Sequence, residues 1–168
     1  ESLVRVVVDI SGRPFLSYRA PENLAPINGN FAFTLIEEFL RAFTNNAGVS
    51  WTFPGVLESG VFRSDPVLLS NDVGHFFYLS LLQNFFDDMW SSLDSGQSWL
   101  RLGPATGGDK QWFTIDNTNS AGHGFQYQFW STDGNNYGGR QFSRSTDGGM
   151  TWMSPIFLPQ TPRWGALD

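Results

Sequence analysis

The sequence predicts a mainly β protein, and its composition and turn spacing are the first reasons. Of the 168 residues, 40% are hydrophobic and 16% are aromatic, and 18 are glycine. This profile suits short strands joined by tight turns. Beyond residue 51, short apolar runs alternate with clusters of Asp, Asn, Ser and Gly. An eight-residue turn motif also occurs twice. We therefore expect β-structure over residues 49–168, preceded by a β-hairpin and one α-helix.

The charge and the absence of cysteine exclude several classes of function. The net charge is −6 and Lys110 is the only lysine, so no basic patch for nucleic acid or an anionic membrane is expected. Without cysteine, disulfides, thiolate zinc sites and a cysteine nucleophile are excluded. No apolar run approaches the ~20 residues of a membrane helix. The chain starts at Glu1, which favours a processed or excised piece.

The sequence pattern of residues 1–48 predicts a hairpin followed by a helix. Alternating valines in residues 4–8 indicate a strand, and residues 15–18 begin its return after a Ser-Gly turn. Thr34 and Glu37 then form a capping-box pattern. Apolar residues follow at helical spacing: Leu35, Ile36, Phe39, Leu40 and Phe43. We expect this helix over residues 33–47, ending at Gly48.

The pattern S-x-D-x-G-x-x-W occupies residues 92–99 and again residues 145–152, 53 residues apart. That spacing suits one four-stranded blade of a β-propeller. The Asp can accept turn N–H groups, the Gly permits the bend, and the Trp packs between strands. A degraded copy, with Asn46 in place of Asp, covers residues 44–51. The predicted structural residues are Ser92, Asp94, Gly96, Trp99, Ser145, Asp147, Gly149 and Trp152.

This motif resembles the Asp box, or BNR repeat, of sialidases and related glycoside hydrolases. The resemblance covers residues 49–168 and implies a partial β-propeller of about two four-stranded blades. It also implies a glycoside hydrolase or glycan-binding fragment, a glycan as partner, and secretion or a periplasmic location. Such a site draws residues from most of about six blades, so we expect the fragment to be inactive alone. Its open sheet edges would favour self-association.

The same resemblance implies where a site would lie. Sialidases hold a substrate carboxylate with arginines, use an Asp as acid/base and a Tyr as nucleophile. The matching catalytic candidates are Arg63, Asp65 and Tyr127, and the substrate-binding candidates are Arg140, Asp109 and Lys110. For the charged candidates the alternative is a hydrated turn or loop; for Tyr127 it is core packing. The adjacent Asp87 and Asp88 should point to opposite faces of a strand, so they are not expected to act as a pair.

Residues 1–48 resemble a different family, imidazoleglycerol-phosphate dehydratase. The similar stretches are residues 1–14 and 33–48, and the resemblance implies that Arg13 contacts a substrate phosphate. The family's manganese sites need His-His-x-x-Glu clusters, whereas this chain has only His75 and His123. No metal or other cofactor is therefore expected. Two resemblances suggest a chimera joined near residues 48–51. The alternatives are one native domain, an engineered or chimeric fold without activity, and a dehydratase-related lyase.

Overall fold

A computed structural model describes Val4–Val8, Pro14–Tyr18, Leu40–Phe43 and residues 49–160. These residues form antiparallel strands in three sheets. The first sheet contains β1 (Val4–Val8), β2 (Pro14–Tyr18), β3 (Leu40–Phe43) and β4 (Thr52–Val56). The second contains β5 (Ser64–Ser70), β6 (Phe76–Leu81), β7 (Asp87–Ser92) and β8 (Leu100–Ala105). The third contains β9 (Trp112–Ile115), β10 (Gln126–Phe129) and β11 (Phe142–Ser145).

Each sheet runs in chain order, because every strand pairs with the next strand along the sequence. In the third sheet Ile156 forms an isolated bridge to Phe142, at the place of a fourth strand. The first strands of successive sheets lie side by side: β1 contacts β5, and β5 contacts β9. The sheets therefore follow one another along the chain and meet through their first strands.

Two apolar clusters cover the opposite faces of the second sheet. One joins Phe43 of β3 to Leu68, Phe76, Tyr78 and Trp90, so it lies toward the first sheet. The other lies toward the third sheet and contains Val67, Phe77, Leu79, Met89, Ala105, Phe113 and Ile115. Strand alternation produces this division, because successive side chains of β6 point to opposite faces.

The mainly β prediction is confirmed, and so is the hairpin, in which β1 pairs with β2 from Val4↔Tyr18 to Val8↔Pro14. The predicted helix is wrong at Leu40–Phe43, which form β3. This strand is paired on both sides, with β2 and with β4, and Phe43 is buried. A two-sided ladder and core burial outweigh a local capping pattern. Residues 33–39 and 44–47 lie outside the described part of the chain.

No helix in the described residues is long and apolar enough to cross a membrane.

Candidate functional site

The antiparallel order brings one set of charged residues to the same end of the second and third sheets. This charged end comprises the starts of β5, β7 and β9 and the ends of β6 and β8. The opposite end, here the turn end, carries both S-x-D-x-G-x-x-W turns. The charged residues at or near the charged end include Glu58, Arg63, Asp65, Asp87, Asp88, Asp109 and Lys110. Arg101 of β8 joins them through its pair with Asp88. Four of the predicted site residues, Arg63, Asp65, Asp109 and Lys110, are thus gathered in one region.

Arg63 is buried, with 4% of its surface exposed, and it connects three parts of the second sheet. Its Nη1 donates to Ser80 Oγ of β6 at 3.0 Å, and its Nη2 lies 2.8 Å from Asp88 Oδ2 of β7. Nη2 also pairs with Glu58. The guanidinium lies 5.3 Å from the ring centroid of Trp90, a cation–π distance. Arg63 is therefore held by the protein itself on several sides.

Asp88 is the acceptor that two arginines share. Its Oδ2 pairs with Arg63, and its Oδ1 accepts from Arg101 Nη2 of β8 at 2.6 Å. The hydrogen bond to Asp88 raises the pKa of Arg101, whose side chain is partly exposed. Since Asp88 itself is buried, two cations compensate the cost of removing its charge from water.

Asp65 and Lys110 face each other in unusual backbone conformations. Both are non-glycine residues with positive φ, 48° for Asp65 and 58° for Lys110. Lys110 Nζ lies 3.3 Å from Asp65 Oδ2 and 3.5 Å from Asp109 Oδ1. Partial burial works against the charged form of Lys110, but Asp65 and Asp109 outweigh it and raise the pKa of Lys110. Gln111 donates its side-chain amide to the Asp65 carbonyl, so β5 and the start of β9 are joined here.

Asp88 is paired with two arginines, whereas among the described residues no hydrogen bond to either carboxylate oxygen of its neighbour Asp87 is found. Asp87 is fully buried, and neither carboxylate oxygen makes a hydrogen bond of good geometry. Burial, and then the nearby Asp65 and Asp88, raise the pKa of Asp87 well above its usual value. The Gly108 backbone N–H and Arg63 act in the opposite direction without offsetting this. Burial and the neighbouring carboxylates therefore favour the neutral, protonated form of Asp87.

The two turns at the turn end have nearly the same geometry. Ser92 Oγ donates to Asp94 Oδ1 at 2.8 Å and accepts from Gly96 N at 2.8 Å. Ser145, Asp147 and Gly149 repeat both distances. In each turn the Asp also accepts from the backbone N–H four residues later, Ser98 or Thr151, at 2.8 and 2.9 Å.

The carboxylates of these turns are stabilised in their ionised form. Slight burial raises the pKa of Asp94, but hydrogen bonds from Ser98 and Ser92 lower it overall. The pKa of Asp147 is lowered in the same way by Thr151 and Ser145, again against slight burial. The tryptophans differ. Trp99 donates to the Gly96 carbonyl at 3.1 Å and packs near Tyr78, whereas Trp152 packs on the opposite apolar cluster.

The remaining predicted residues do not join Arg63. Tyr127 stacks on Phe142 at 6.3 Å, and its hydroxyl lies beside Gly122 in the loop after β9, at the turn end. Arg140 does lie in a loop at the charged end, but it donates to the Tyr137 carbonyl at 3.2 Å and lies over Phe157. Arg13 lies outside the described residues.

The two histidines are also placed apart from the charged end. His123 contacts the Thr118 carbonyl through Nδ1 at 2.7 Å, and its Nε2 lies 3.4 Å from Asp72 Oδ2. His75 lies at the end of the β5–β6 turn, and its backbone N–H donates to the Asn71 side-chain oxygen. Within the described residues there is no group of three His, Cys, Asp or Glu arranged to hold a metal ion.

Sequence reasoning missed Glu58, Asp87, Asp88 and Arg101 as parts of the charged end. Asp87 and Asp88 were considered only as a pair, and strand alternation separates them correctly. The signal that could have found Asp88 is its position on a strand with apolar neighbours, because a buried carboxylate requires a cation. No local pattern identifies Arg63 and Arg101 as those cations.

Comparison with known proteins gives one family match. The model of the imidazoleglycerol-phosphate dehydratase family matches residues 1–54. Dehydratases of this name from Akkermansia muciniphila and Azorhizobium caulinodans are 52% and 50% identical over 46 and 50 residues. These matches cover 27% and 30% of this chain and 24% and 25% of the relatives. The chain thus spans about a quarter of the length of the curated relatives it matches, and its N-terminal segment is related to this dehydratase.

The solved structures that resemble this chain include one that covers most of it. It is a crystal structure of a protein of unknown function from Dyadobacter fermentans, 15% identical, covering 95% of this chain and 69% of that chain. Its TM-score of 0.41 is too low to support an argument about fold or function.

These findings correct the identification drawn from the eight-residue motif. The family match and the curated relatives concern a dehydratase, not a BNR-repeat sialidase or another glycoside hydrolase. The sialidase identification is therefore wrong, and the glycan partner and secreted location inferred from it lose their basis. The physical reason is that the motif encodes a local hydrogen-bonded turn, and such a turn does not specify an active site.

Proposed function

We propose that this chain is a folded β-sheet protein without catalytic activity, in which a dehydratase-related segment forms the first sheet. The observation that carries the proposal is the internal pairing of the charged end. Arg63, the arginine expected to bind a substrate, is buried and paired with Asp88, Glu58 and Ser80. Asp65 is paired with Lys110.

This pairing supports a structural role. A substrate carboxylate could reach Arg63 only by displacing one of its two carboxylate partners, Glu58 or the buried Asp88. Loss of its cation would be strongly unfavourable for the buried Asp88. In its present contacts Arg63 connects the start of β5 to β6 and β7, and Arg101 extends the connection to β8. These side-chain contacts therefore connect all four strands of the second sheet.

The dehydratase match supports the chimeric part of the proposal. The matched segment, residues 1–54, ends within β4, the last strand of the first sheet. The segment and the first sheet thus share nearly the same boundary. We propose a junction near residue 54, slightly beyond the residues 48–51 expected from the sequence, between a dehydratase-related N-terminal part and a C-terminal part that carries both turns.

The arrangement of the sheets supports a partial propeller that closes by self-association. Propellers place four-stranded sheets around an axis with their first strands innermost, which is consistent with β1, β5 and β9 lying side by side. With the three sheets that the described residues form, two chains would complete a ring of about six. Light scattering coupled to size-exclusion chromatography should show a dimer, and a monomer would contradict ring closure.

A dehydratase-related lyase is the second candidate, and the family match on residues 1–54 favours it. The residues present do not fit the manganese that this family implies. The matched segment contains no histidine, and both ring nitrogens of His123 already face the Thr118 carbonyl and Asp72. No catalytic step through a metal is therefore proposed.

One experiment separates the two candidates. The purified chain is incubated with imidazoleglycerol phosphate and Mn²⁺, and its thermal unfolding is followed in the same buffer. We expect cooperative unfolding and no turnover above the rate without protein. Turnover that disappears in an Arg13→Ala variant would establish the lyase and overturn the inactive scaffold.

A further inference from the structure

The buried carboxyl of Asp87 lies where three segments of the charged end meet. Asp87 is the first residue of β7 and directly follows the turn formed by residues 82–86. Residues 106–110 precede β9, and residues 131–140 precede β11. We call these three segments the cap. Asp87 is completely inaccessible to solvent, although it lies at the end of a strand.

Contacts between the cap segments are specific. The Asp109 backbone N–H donates to the Gly134 carbonyl at 2.8 Å, and Ser131 N donates to the Asp109 carbonyl at 2.9 Å. The Asn136 side chain donates to the Asn84 carbonyl at 2.8 Å, which joins the loop to the 82–86 turn. Opening the cap would break these bonds.

The 106–110 segment of the cap lies directly against the Asp87 carboxyl group. Gly107 has a φ of 136°, and a Cβ atom placed there would lie 1.8 Å from Asp87 Oδ2. Only glycine therefore leaves room for the Asp87 side chain in this arrangement. The electrostatic effect of Asp87 also reaches Tyr137, whose pKa is raised first by burial and then by this carboxyl. Tyr137 packs against Trp130 at 5.6 Å and Phe86 at 6.0 Å.

The backbone of the 82–86 turn is strained, whereas that of the similar β5–β6 turn is not. The β5–β6 turn has the same two hydrogen bonds, from Gly74 N to the Asn71 carbonyl and from Asn71 N to the His75 carbonyl. In the 82–86 turn, Phe85 takes the place of Gly74, with a φ of 62° against 82°. A bulky residue in this region is unfavourable, yet the Phe85 ring remains half exposed and lies against Gly134. The closed cap thus holds a strained turn against the loop.

From this geometry we propose that Asp87 is a proton-controlled latch: the protonated carboxyl permits the closed cap, and its ionisation opens the 82–86 turn away from residues 131–140. Among the described residues, the titratable and charged groups that face Asp87 are Asp65 from β5, Asp88 from β7, Arg63 before β5, and Tyr137 from the loop. Asp65 and Asp88 disfavour a negative charge on Asp87, and Arg63, the arginine of this set, already pairs with Asp88 and Glu58.

The direction of the response follows from the cost of burying a charge. An ionised Asp87 without a paired cation cannot remain under the cap, because an uncompensated buried carboxylate is strongly unfavourable. Opening the cap hydrates the carboxylate and releases the strain at Phe85. The cap should therefore be closed in acid and open as the pH rises.

The test is a distance measurement across the cap. Because the chain contains no cysteine, cysteines introduced at Gln83 and Asp133 provide unique positions for spin labels. Pulsed electron spin resonance between pH 5 and 9 should show a longer-distance population that grows with pH. In Asp87→Asn the short distance should persist at every pH. In Asp72→Asn, the same change in a turn at the opposite end, the opening should remain.

Two results would overturn the latch: a distance that is unchanged between pH 5 and 9, or an opening that persists in Asp87→Asn. If the Asp87→Asn chain does not fold, the carboxyl carbon of Asp87 can be titrated by NMR in the labelled parent. Its midpoint should coincide with the distance change, and a midpoint that differs from it would likewise overturn the latch.

Discussion

The eight-residue turns and the charged network differ in how far along the chain their contacts reach. At the turn end, Asp94 and Asp147 bind partners no more than four residues away. At the charged end, Arg63 reaches Ser80 across 17 residues, and Lys110 reaches Asp65 across 45. Each turn therefore depends on eight consecutive residues, whereas the charged network forms only once the strands have paired.

The two ends also differ in exposure. The turn carboxylates lie near the surface and stay ionised, while Arg63, Asp87 and Asp88 are buried. Substitutions should therefore cost much more at the charged end than at the turn end.

Replacing Arg63 should have the largest effect on stability. Among the described residues, Arg63→Ala leaves the buried Asp88 with Arg101 as its remaining cation, so we expect a loss of about 3–5 kcal/mol in the free energy of unfolding. Denaturant unfolding measures this loss. Arg101→Ala is the matched control, since its side chain is partly exposed and should cost about 1 kcal/mol. Equal losses in the two variants would contradict the assignment of Arg63 as the buried anchor.

Replacing Asp87 should change how stability depends on pH. The folded pKa of Asp87 lies above its unfolded value near 3.8, so the folded state retains a proton that the unfolded state loses. Stability should therefore fall as pH rises above about 4, by up to about 1.4 kcal/mol per pH unit, until the folded group ionises. Asp87→Asn should remove this slope in thermal unfolding followed at several pH values. The control Asp133→Asn, an exposed carboxylate, should keep it.

The turn aspartates should have smaller effects of opposite pH dependence. Each of Asp94→Ala and Asp147→Ala removes several exposed hydrogen bonds, so we expect a loss of about 1–2 kcal/mol at neutral pH. Their folded pKa values are lowered, so this stabilisation is present above the unfolded pKa and is lost as the pH falls through the folded value. Because the turns belong to different sheets, the double variant should show additive losses in denaturant unfolding.

The smallest expected change is a gain of stability at Gln126. This residue is fully buried between the second and third sheets, and neither amide atom has a hydrogen-bond partner. Gln126→Leu should raise the free energy of unfolding by about 1 kcal/mol, since an unsatisfied amide is replaced by an apolar group. Gln128→Leu is the control, because it also removes a 2.7 Å bond to Thr106 and should not stabilise.

The features that could be predicted from the sequence are those that depend on contacts between residues close together in the chain. The hairpin, the mainly β class and the positions of both turns depend on local alternation and local hydrogen bonds. Strand β3 could not be predicted, because Leu40 and Phe43 fit a helix spacing and only pairing with β2 and β4 makes them a strand. The partners of Arg63 lie on three different segments, and no pattern in the sequence connects them.

A double-mutant cycle tests directly whether Arg63 is held by the protein and is therefore not available to a substrate. Arg63→Met, Asp88→Asn and the double variant are compared with the parent chain by denaturant unfolding. We predict a coupling free energy of at least about 2 kcal/mol between the two residues, because both are buried and 2.8 Å apart. A coupling near zero would contradict the structural role of Arg63 and would leave its guanidinium available for a ligand.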